Sequence, residues 1–154
     1  MPNKANHGPT TAERRFIEDT ARLLVPWGVP QTAARLYGFL LVHAEPVSLD
    51  AIAEGLEISK SSASVAARLL EKYTLAHRHG VRGSKRALYG VSGNYEAMLA
   101  EQNRLLNSLA ALMRSGARGV RSDGARDRLA EMADFYAAIR QGMEATLARL
   151  RAKE

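Results

Sequence analysis

Two short helical patterns lie close together within residues 47–91, and they constrain the fold of this chain more than any other feature. Ser48 is a good N-cap for a short helix that ends near Gly55, because its hydroxyl can accept a hydrogen bond from a free backbone N–H. Ser59 is a second N-cap, for a longer helix that continues to about Tyr73. Two short helices joined by a few residues predict a helix-turn-helix.

A hairpin pattern follows the second of these helices directly. Residues 75–81 and 86–91 have the composition of short strands, and the four residues between them include Gly83, which suits a tight turn. A helix-turn-helix followed by a β-hairpin predicts a winged helix.

The positive charge of the chain is concentrated in this region. The net charge is +6, and residues 59–94 carry seven basic residues against one acid, Glu71, so the remaining basic and acidic residues balance. A solvated surface of mixed charge would not concentrate the whole excess in one segment. The segment is therefore the predicted contact surface for an acidic partner, and double-stranded DNA is the partner that the winged helix favours.

One stripe of the second helix has the side chains that a major groove admits. Ser61, Ser64, Val65 and Arg68 stand at positions i, i+3, i+4 and i+7; small hydroxyls permit a close approach, and an arginine can reach a guanine edge or a phosphate. The alternative is an ordinary solvated helix face. The predicted DNA-binding residues of this helix are Ser59, Lys60, Ser61, Ser62, Ser64, Val65, Arg68 and Lys72.

The hairpin has basic residues on and around its tip, which suits contact with phosphates or with a narrow minor groove. The predicted DNA-binding residues of the wing are Arg78, Arg82, Ser84, Lys85 and Arg86. His77 and His79 share a strand face and could hold a metal ion, but no third ligand is near in the sequence, so no metal site is predicted.

Helical patterns flank the winged helix on both sides. Two helices are predicted before it, at residues 12–25 and 31–44, with a turn between them where Pro26 and Pro30 bracket Trp27. After it, a helix is predicted at residues 95–114.

A loop is predicted at residues 115–124, which contain three glycines, and a last helix is predicted to begin at Ser122 or Asp123. Apolar residues of that helix recur alternately every three and four positions, a heptad pattern typical of helices that pack lengthwise, and Phe135 and Leu147 widen it. Either two copies of the chain meet along this pattern or it packs within one subunit. The residues predicted for dimerisation are Leu129, Met132, Tyr136, Ile139, Met143 and Leu150.

The predicted fold is therefore mainly α with a small β-hairpin: a winged helix-turn-helix plus long C-terminal dimerisation helices. The predicted organisation is a flexible N-terminus (residues 1–11), a winged-helix domain with its N-terminal helices (12–94) and a helical dimerisation region (95–154). The chain has no cysteine, no apolar N-terminal leader and no long apolar run, which predicts a cytoplasmic protein without a membrane segment. No nucleophile, phosphate-loop or metalloprotease motif is present, so neither a cofactor nor an enzymatic activity is expected.

Residues 48–91 resemble the winged helix of MarR-type regulators, and the Ser-Lys element at Ser59 and Lys60 is most similar to that of the GbsR branch. The matching segment is SLDAIAEGLEISKSSASVAARLLEKYTLAHRHGVRGSKRALYGV. In arrangement the resemblance covers residues 16–114. It implies a bacterial homodimeric transcription factor, usually a repressor, that binds a pseudo-palindromic operator and in many relatives is released by a small ligand. Where relatives often have glycine, this chain has Glu57 and Thr74, which puts the turn geometry in question.

Four aromatic residues are candidates for a small-molecule effector pocket, although aromatics at helical spacing are more often core residues. They are Trp27, Tyr37, Phe135 and Tyr136. The competing hypothesis for the whole protein is a winged-helix adaptor that docks an acidic protein and has no DNA specificity. The steepness of salt-dependent binding to random duplex DNA distinguishes the two.

Overall fold

The computed structural model describes residues 8–93 and 95–153. The chain divides into two compact units, Met1–Gly93 and Asn94–Glu154. Of the predicted flexible N-terminus, residues 1–7 lie outside the described residues. The elements of the first unit are α1 (Thr11–Leu24), a 3-10 turn (Val25–Trp27), α2 (Gln31–Leu41), β1 (Val47–Ser48), α3 (Leu49–Leu56), α4 (Lys60–Lys72), β2 (Ala76–Gly80) and β3 (Ala87–Val91).

The first helix begins at a reciprocal cap. The hydroxyl of Thr10 accepts a hydrogen bond from the backbone N–H of Glu13, and the Glu13 carboxylate accepts one from the N–H of Thr10 at 2.8 Å. This is the capping box that the Thr-x-x-Glu spacing predicts. In the first unit the predicted helix boundaries are confirmed to within a residue or two, except that α2 ends at Leu41 rather than Ala44, where His43 N–H turns back to Leu40.

The helix α1 buries a different face from the one that its largest side chains suggest. Its buried residues are Ile17 and Ala21, whereas Phe16 and Leu23 are exposed, and Trp27 in the following 3-10 turn is 87% exposed. The two helices approach closely at Gly38, where an added Cβ would lie 3.0 Å from the Cα of Ile17.

The helix α3 ends in a turn with a left-handed residue that is not glycine. Glu57 has φ 57° and ψ 45°. The N–H of Ile58 donates to the carbonyl of Ala53 (3.0 Å) and the N–H of Glu57 donates to that of Glu54 (3.3 Å). These two bonds form a Schellman motif, a helix end that usually has glycine at the left-handed position.

The helix α4 ends in the same way. Thr74 has φ 60°. The N–H of Leu75 donates to the carbonyl of Leu70 (2.9 Å), and the N–H of Thr74 donates to that of Glu71 (3.0 Å). The turn geometry that the missing glycines put in question is therefore retained at both helix ends, and two L residues hold strained backbone conformations to keep it.

A small antiparallel sheet closes the first unit, with strand order β1-β3-β2. The predicted hairpin is confirmed, and Arg78 pairs with Tyr89 across it. The two-residue strand β1 was not predicted; it pairs Val47 with Tyr89 and Ser48 with Leu88. The core lies between these strands and helices α1 to α4, and its largest fully buried side chains are Phe39, Leu36, Leu40, Ile52 and Leu70.

The second unit is a pair of long helices, α5 (Tyr95–Gly119) and α6 (Asp123–Arg151). The predicted loop at residues 115–124 is wrong, because α5 continues to Gly119 and the connection is three residues long. The three glycines suggested a break, but Gly116 is helical and lies where Leu129 of α6 packs closely. The helix therefore continues through Gly116 and ends at Gly119.

Within the described ranges 8–93 and 95–153, no helix is long and apolar enough to cross a membrane. The same residues contain no cluster of three or more His, Asp or Glu side chains that could hold a metal ion. His77 and His79 lie side by side on β2, with ring centroids 4.8 Å apart.

Candidate nucleic-acid interface

The helix α4 divides its residues between a packed face and a free face. Its buried residues are Ala63, Ala66, Ala67 and Leu70, which bring the helix backbone close to the core. The predicted reading stripe is on the other side: Val65 and Arg68 are exposed and Ser64 is half-buried. The free face can therefore contact a partner without disturbing the packing that holds the helix.

The start of α4 is fixed by serine hydroxyls. The hydroxyl of Ser59 accepts a hydrogen bond from the backbone N–H of Ser62 (3.1 Å) and lies 3.1 Å from the hydroxyl of Ser61. It also donates a hydrogen bond to the Ser62 hydroxyl at 2.9 Å. Ser59 is thus a structural cap, and the exposed residue next to it, Lys60, is the first charge that the helix presents.

The wing tip is a compact turn that carries exposed cations. The N–H of Ser84 donates to the carbonyl of Val81 (3.0 Å), and the Ser84 hydroxyl accepts from the N–H of Arg86 (3.0 Å). Gly83 supplies the positive φ of 76° that the turn requires. Ser84 therefore shapes the turn, whereas Arg82, Lys85 and Arg86 are exposed around it.

The pairing of β2 with β3 determines which side of the wing faces α4. Arg78 pairs with the buried Tyr89, and both line a cleft of about 550 Å³ between the wing and α4. His77 and His79, one residue to either side on the strand, point to the opposite sheet face. Arg78 thus belongs to the candidate interface, and the two histidines lie on its far side.

The cleft brings together residues of α4 and the wing that are far apart in the sequence. Its predicted members are Lys60, Ser64, Arg68, Arg78, Lys85 and Arg86. Ser61, Ser62 and Val65 line a different groove of about 350 Å³, next to the start of α2. Lys72 and Arg82 are exposed at the end of α4 and at the wing tip.

Two acids in the cleft were not predicted, Asp50 and Glu71. The carboxylate of Asp50 lies 3.1 Å from the Lys60 ammonium through Oδ1 and 3.8 Å from the Arg86 guanidinium through Oδ2. In the sequence Asp50 is a first-turn acid of α3 that complements the helix dipole. Its position near the wing depends on the pairing of Ser48 with Leu88, which brings the start of α3 beside β3, and no local sequence signal shows that pairing.

The residues predicted for dimerisation lie on α6. Four of them are half-buried within the two-helix unit: Leu129, Met132, Tyr136 and Met143. Ile139 and Leu150 are exposed, as are Leu105 and Leu112 of α5. The heptad pattern is thus divided between a partly covered side and an open side.

The aromatic residues predicted for an effector pocket belong to both units. In the first, Trp27 is exposed and Tyr37 packs partly against the core. In the second, the rings of Phe135 and Tyr136 make an edge contact with centroids 5.5 Å apart, and Phe135 is exposed.

Comparison with known proteins gives matches to parts of the chain and to nearly all of it. Residues 93–153 match a family model described as an MmpR5-like MarR family transcriptional regulator. Two curated proteins of Bacillus subtilis (strain 168) are similar over 84 residues, or 54% of this chain: YvaV, named as an HTH-type transcriptional regulator, is 29% identical, and the HTH-type transcriptional repressor OpcR is 27% identical. The aligned parts are 48% and 45% of these proteins, so the chain spans about half the length of the curated relatives it matches.

A solved structure of a transcriptional regulator superimposes on most of this chain. Its TM-score is 0.81 at 27% sequence identity, and the match covers 92% of this chain and 99% of that one. The fold is a winged helix followed by a pair of long helices, and these likenesses are to transcriptional regulators. The match to the MarR family model is confined to residues 93–153.

Proposed function

We propose that this protein is a homodimeric repressor that binds a pseudo-palindromic operator in double-stranded DNA. The observation that carries the proposal is the cleft between α4 and the wing, around which five cations are exposed or open to solvent. These are Lys60, Arg68, Arg78, Lys85 and Arg86. The helix α4 has the position and the free face of a recognition helix, and the wing presents Arg82 at its tip. The sign of regulation follows the name of the repressor OpcR, and the Ser-Lys element favours the GbsR branch of the MarR family.

The test is a titration of the full chain with random duplex DNA at several salt concentrations. A dimer presents two such clefts, and 6–10 phosphate contacts would weaken binding by about 10³–10⁵-fold between roughly 50 and 200 mM salt. Selection of bound sequences should then give two half-sites whose centres lie about 10 base pairs apart, or a multiple of that. Absence of steep salt-dependent binding would contradict the proposal and favour the protein-binding adaptor.

The homodimer is part of this proposal. In the helical unit Leu105, Leu112 and Phe135 are each more than half exposed, and Ile139 and Leu150 add to the open apolar surface. Large exposed apolar surfaces on a folded protein mark interaction sites, and a second copy of the chain would cover them. Release from DNA by a small ligand in the cytoplasm completes the proposal. Its test is loss of operator binding when candidate apolar or cationic ligands are added.

A further inference from the structure

The carboxylate of Asp50 is an acid placed among the cations of the proposed DNA surface. It lies between two of them, Lys60 at the start of α4 and Arg86 at the base of the wing, and each of its oxygens faces one cation. Glu71 is the other acid that lines the cleft. A carboxylate in this position repels the phosphates of DNA, so the proposed function does not by itself explain its presence.

The ion pairs of Asp50 with Lys60 and Arg86 do not explain the presence of the carboxylate through stability. The side chains of Lys60, Asp50 and Arg86 are 65%, 60% and 68% exposed. Ion pairs between such exposed groups contribute little to folding, because water already solvates both partners and salt screens them. The contacts therefore act mainly on the charge that the cleft presents.

The position of Asp50 is set by the backbone and not by a flexible side chain alone. Ser48 caps α3 by accepting a hydrogen bond from the N–H of Ala51 at 3.1 Å, and it is also held in β1 by pairing with Leu88. Asp50 follows in the first turn of α3, where its Oδ2 lies 3.8 Å from the Arg86 guanidinium, just before β3 begins. The carboxylate is thus held at the junction of α3, α4 and the wing.

We propose that Asp50 is a specificity-determining residue that restrains binding to arbitrary DNA, an inference that rests on the proposed function. It neutralises part of the charge of Lys60 and Arg86 and orients both side chains. The two cations therefore attract the phosphates of any duplex less strongly. The affinity for a correct operator falls less, because α4 also contacts the edges of the operator's bases. Asp50 raises the ratio of operator affinity to random-DNA affinity.

The experiment compares the native protein with Asp50→Asn and with Asp50→Ser, using a random duplex and the selected operator. Removing the acid should raise random-DNA affinity about threefold to tenfold near 100 mM salt, because one repulsive charge is lost and two cations are freed. The salt slope of log K should steepen by about 1–2. The ratio of operator to random affinity should fall.

The matched control is Asp123→Asn, which removes another exposed first-turn acid that pairs with an arginine, Arg126 at 2.9 Å, outside the cleft. It should leave both affinities unchanged. If the Asp50 variants weaken both DNAs in parallel, Asp50 has a structural role and the proposal is overturned, as it is if they change nothing. If the native protein shows no salt-dependent DNA binding, the proposed function itself fails.

A second measurement cancels any general effect of Asp50→Asn on the fold, because it compares two proteins within each background. Lys60→Gln should reduce the salt slope less in the native background than in the Asp50→Asn background, because in the native protein Asp50 already neutralises this cation. Equal reductions in the two backgrounds would overturn the proposal.

Discussion

Substitution of Glu57 by glycine should stabilise the protein, although it removes a side chain. Glu57 is exposed and holds φ 57°, ψ 45° at the end of α3. The left-handed conformation costs an L residue about 1–2 kcal/mol. Glycine avoids that cost but loses about 0.5–1 kcal/mol through the extra freedom of its unfolded chain. The net gain from the backbone is therefore roughly 0.5–1 kcal/mol.

The matched control is Glu57→Ala, which retains the Cβ and therefore the strain. Both variants remove a carboxylate from the negative end of the α3 dipole, which gives each the same small benefit. The difference between Glu57→Gly and Glu57→Ala therefore isolates the backbone conformation.

The assay is unfolding followed by circular dichroism, with heat and with urea. It is repeated at several protein concentrations, because dissociation of a dimer makes the melting temperature depend on concentration. For chains of this size, 1 kcal/mol shifts the melting temperature by about 2–4 °C. Glu57→Gly should thus melt about 1–4 °C above Glu57→Ala. Equal melting temperatures, or a lower one for the glycine variant, would refute the reasoning.

Three further predictions concern the DNA surface, the dimer and the core. Arg82→Ala should weaken binding to all duplexes alike and make the binding less dependent on salt, which titration measures. Arg68→Ala should change which bases the protein prefers, which binding-site selection measures. Ile139→Asp should convert dimer to monomer in sedimentation experiments, because it buries an unpaired charge in the proposed seam. Gly55→Ala should destabilise the fold by about 1–3 kcal/mol in urea unfolding, since its Cβ would lie 2.4 Å from the buried Phe39 ring.

Each of these predictions has its own contradicting result. An unchanged selection profile for Arg68→Ala would mean that the reading face is wrongly assigned. A native protein that sediments as a monomer at micromolar concentration would remove the dimer and the palindromic site. The control for the core prediction is Gly124→Ala in the first turn of α6, where no atom lies closer than 3.9 Å to the added Cβ. It should leave stability unchanged or raise it slightly, and an equal loss in both variants would contradict the overpacking argument.

Local signals predicted most of the fold correctly. The caps at Thr10, Ser48, Ser59 and Ser122 each start a helix, because a side-chain oxygen three residues before a free N–H satisfies it wherever the chain goes next. The hairpin followed from the composition of its strands and from Gly83. These features depend on neighbours in the sequence, and so the sequence alone reveals them.

Features that depend on distant partners were missed. The strand β1 has two residues, too few for an alternating pattern, and its pairing with β3 brings the start of α3 beside the wing. The glycines near the end of α5 were interpreted as a loop, because only the position of α6 shows that Gly116 lies at a helix contact. The buried face of α1 also depends on a distant partner, because Ile17 lies where Gly38 of α2 approaches closely.

The two Schellman motifs have a consequence for how such a protein can change over time. Backbone hydrogen bonds end α3 and α4, and the buried alanines of α4 pack it against the core. The side chains of Ser64, Val65 and Arg68 therefore contribute little to the stability of the fold. Substitutions at these three positions can therefore accumulate while the frame persists. A duplicated copy of this chain could acquire a new target sequence through a few surface changes, without first having to regain a stable structure.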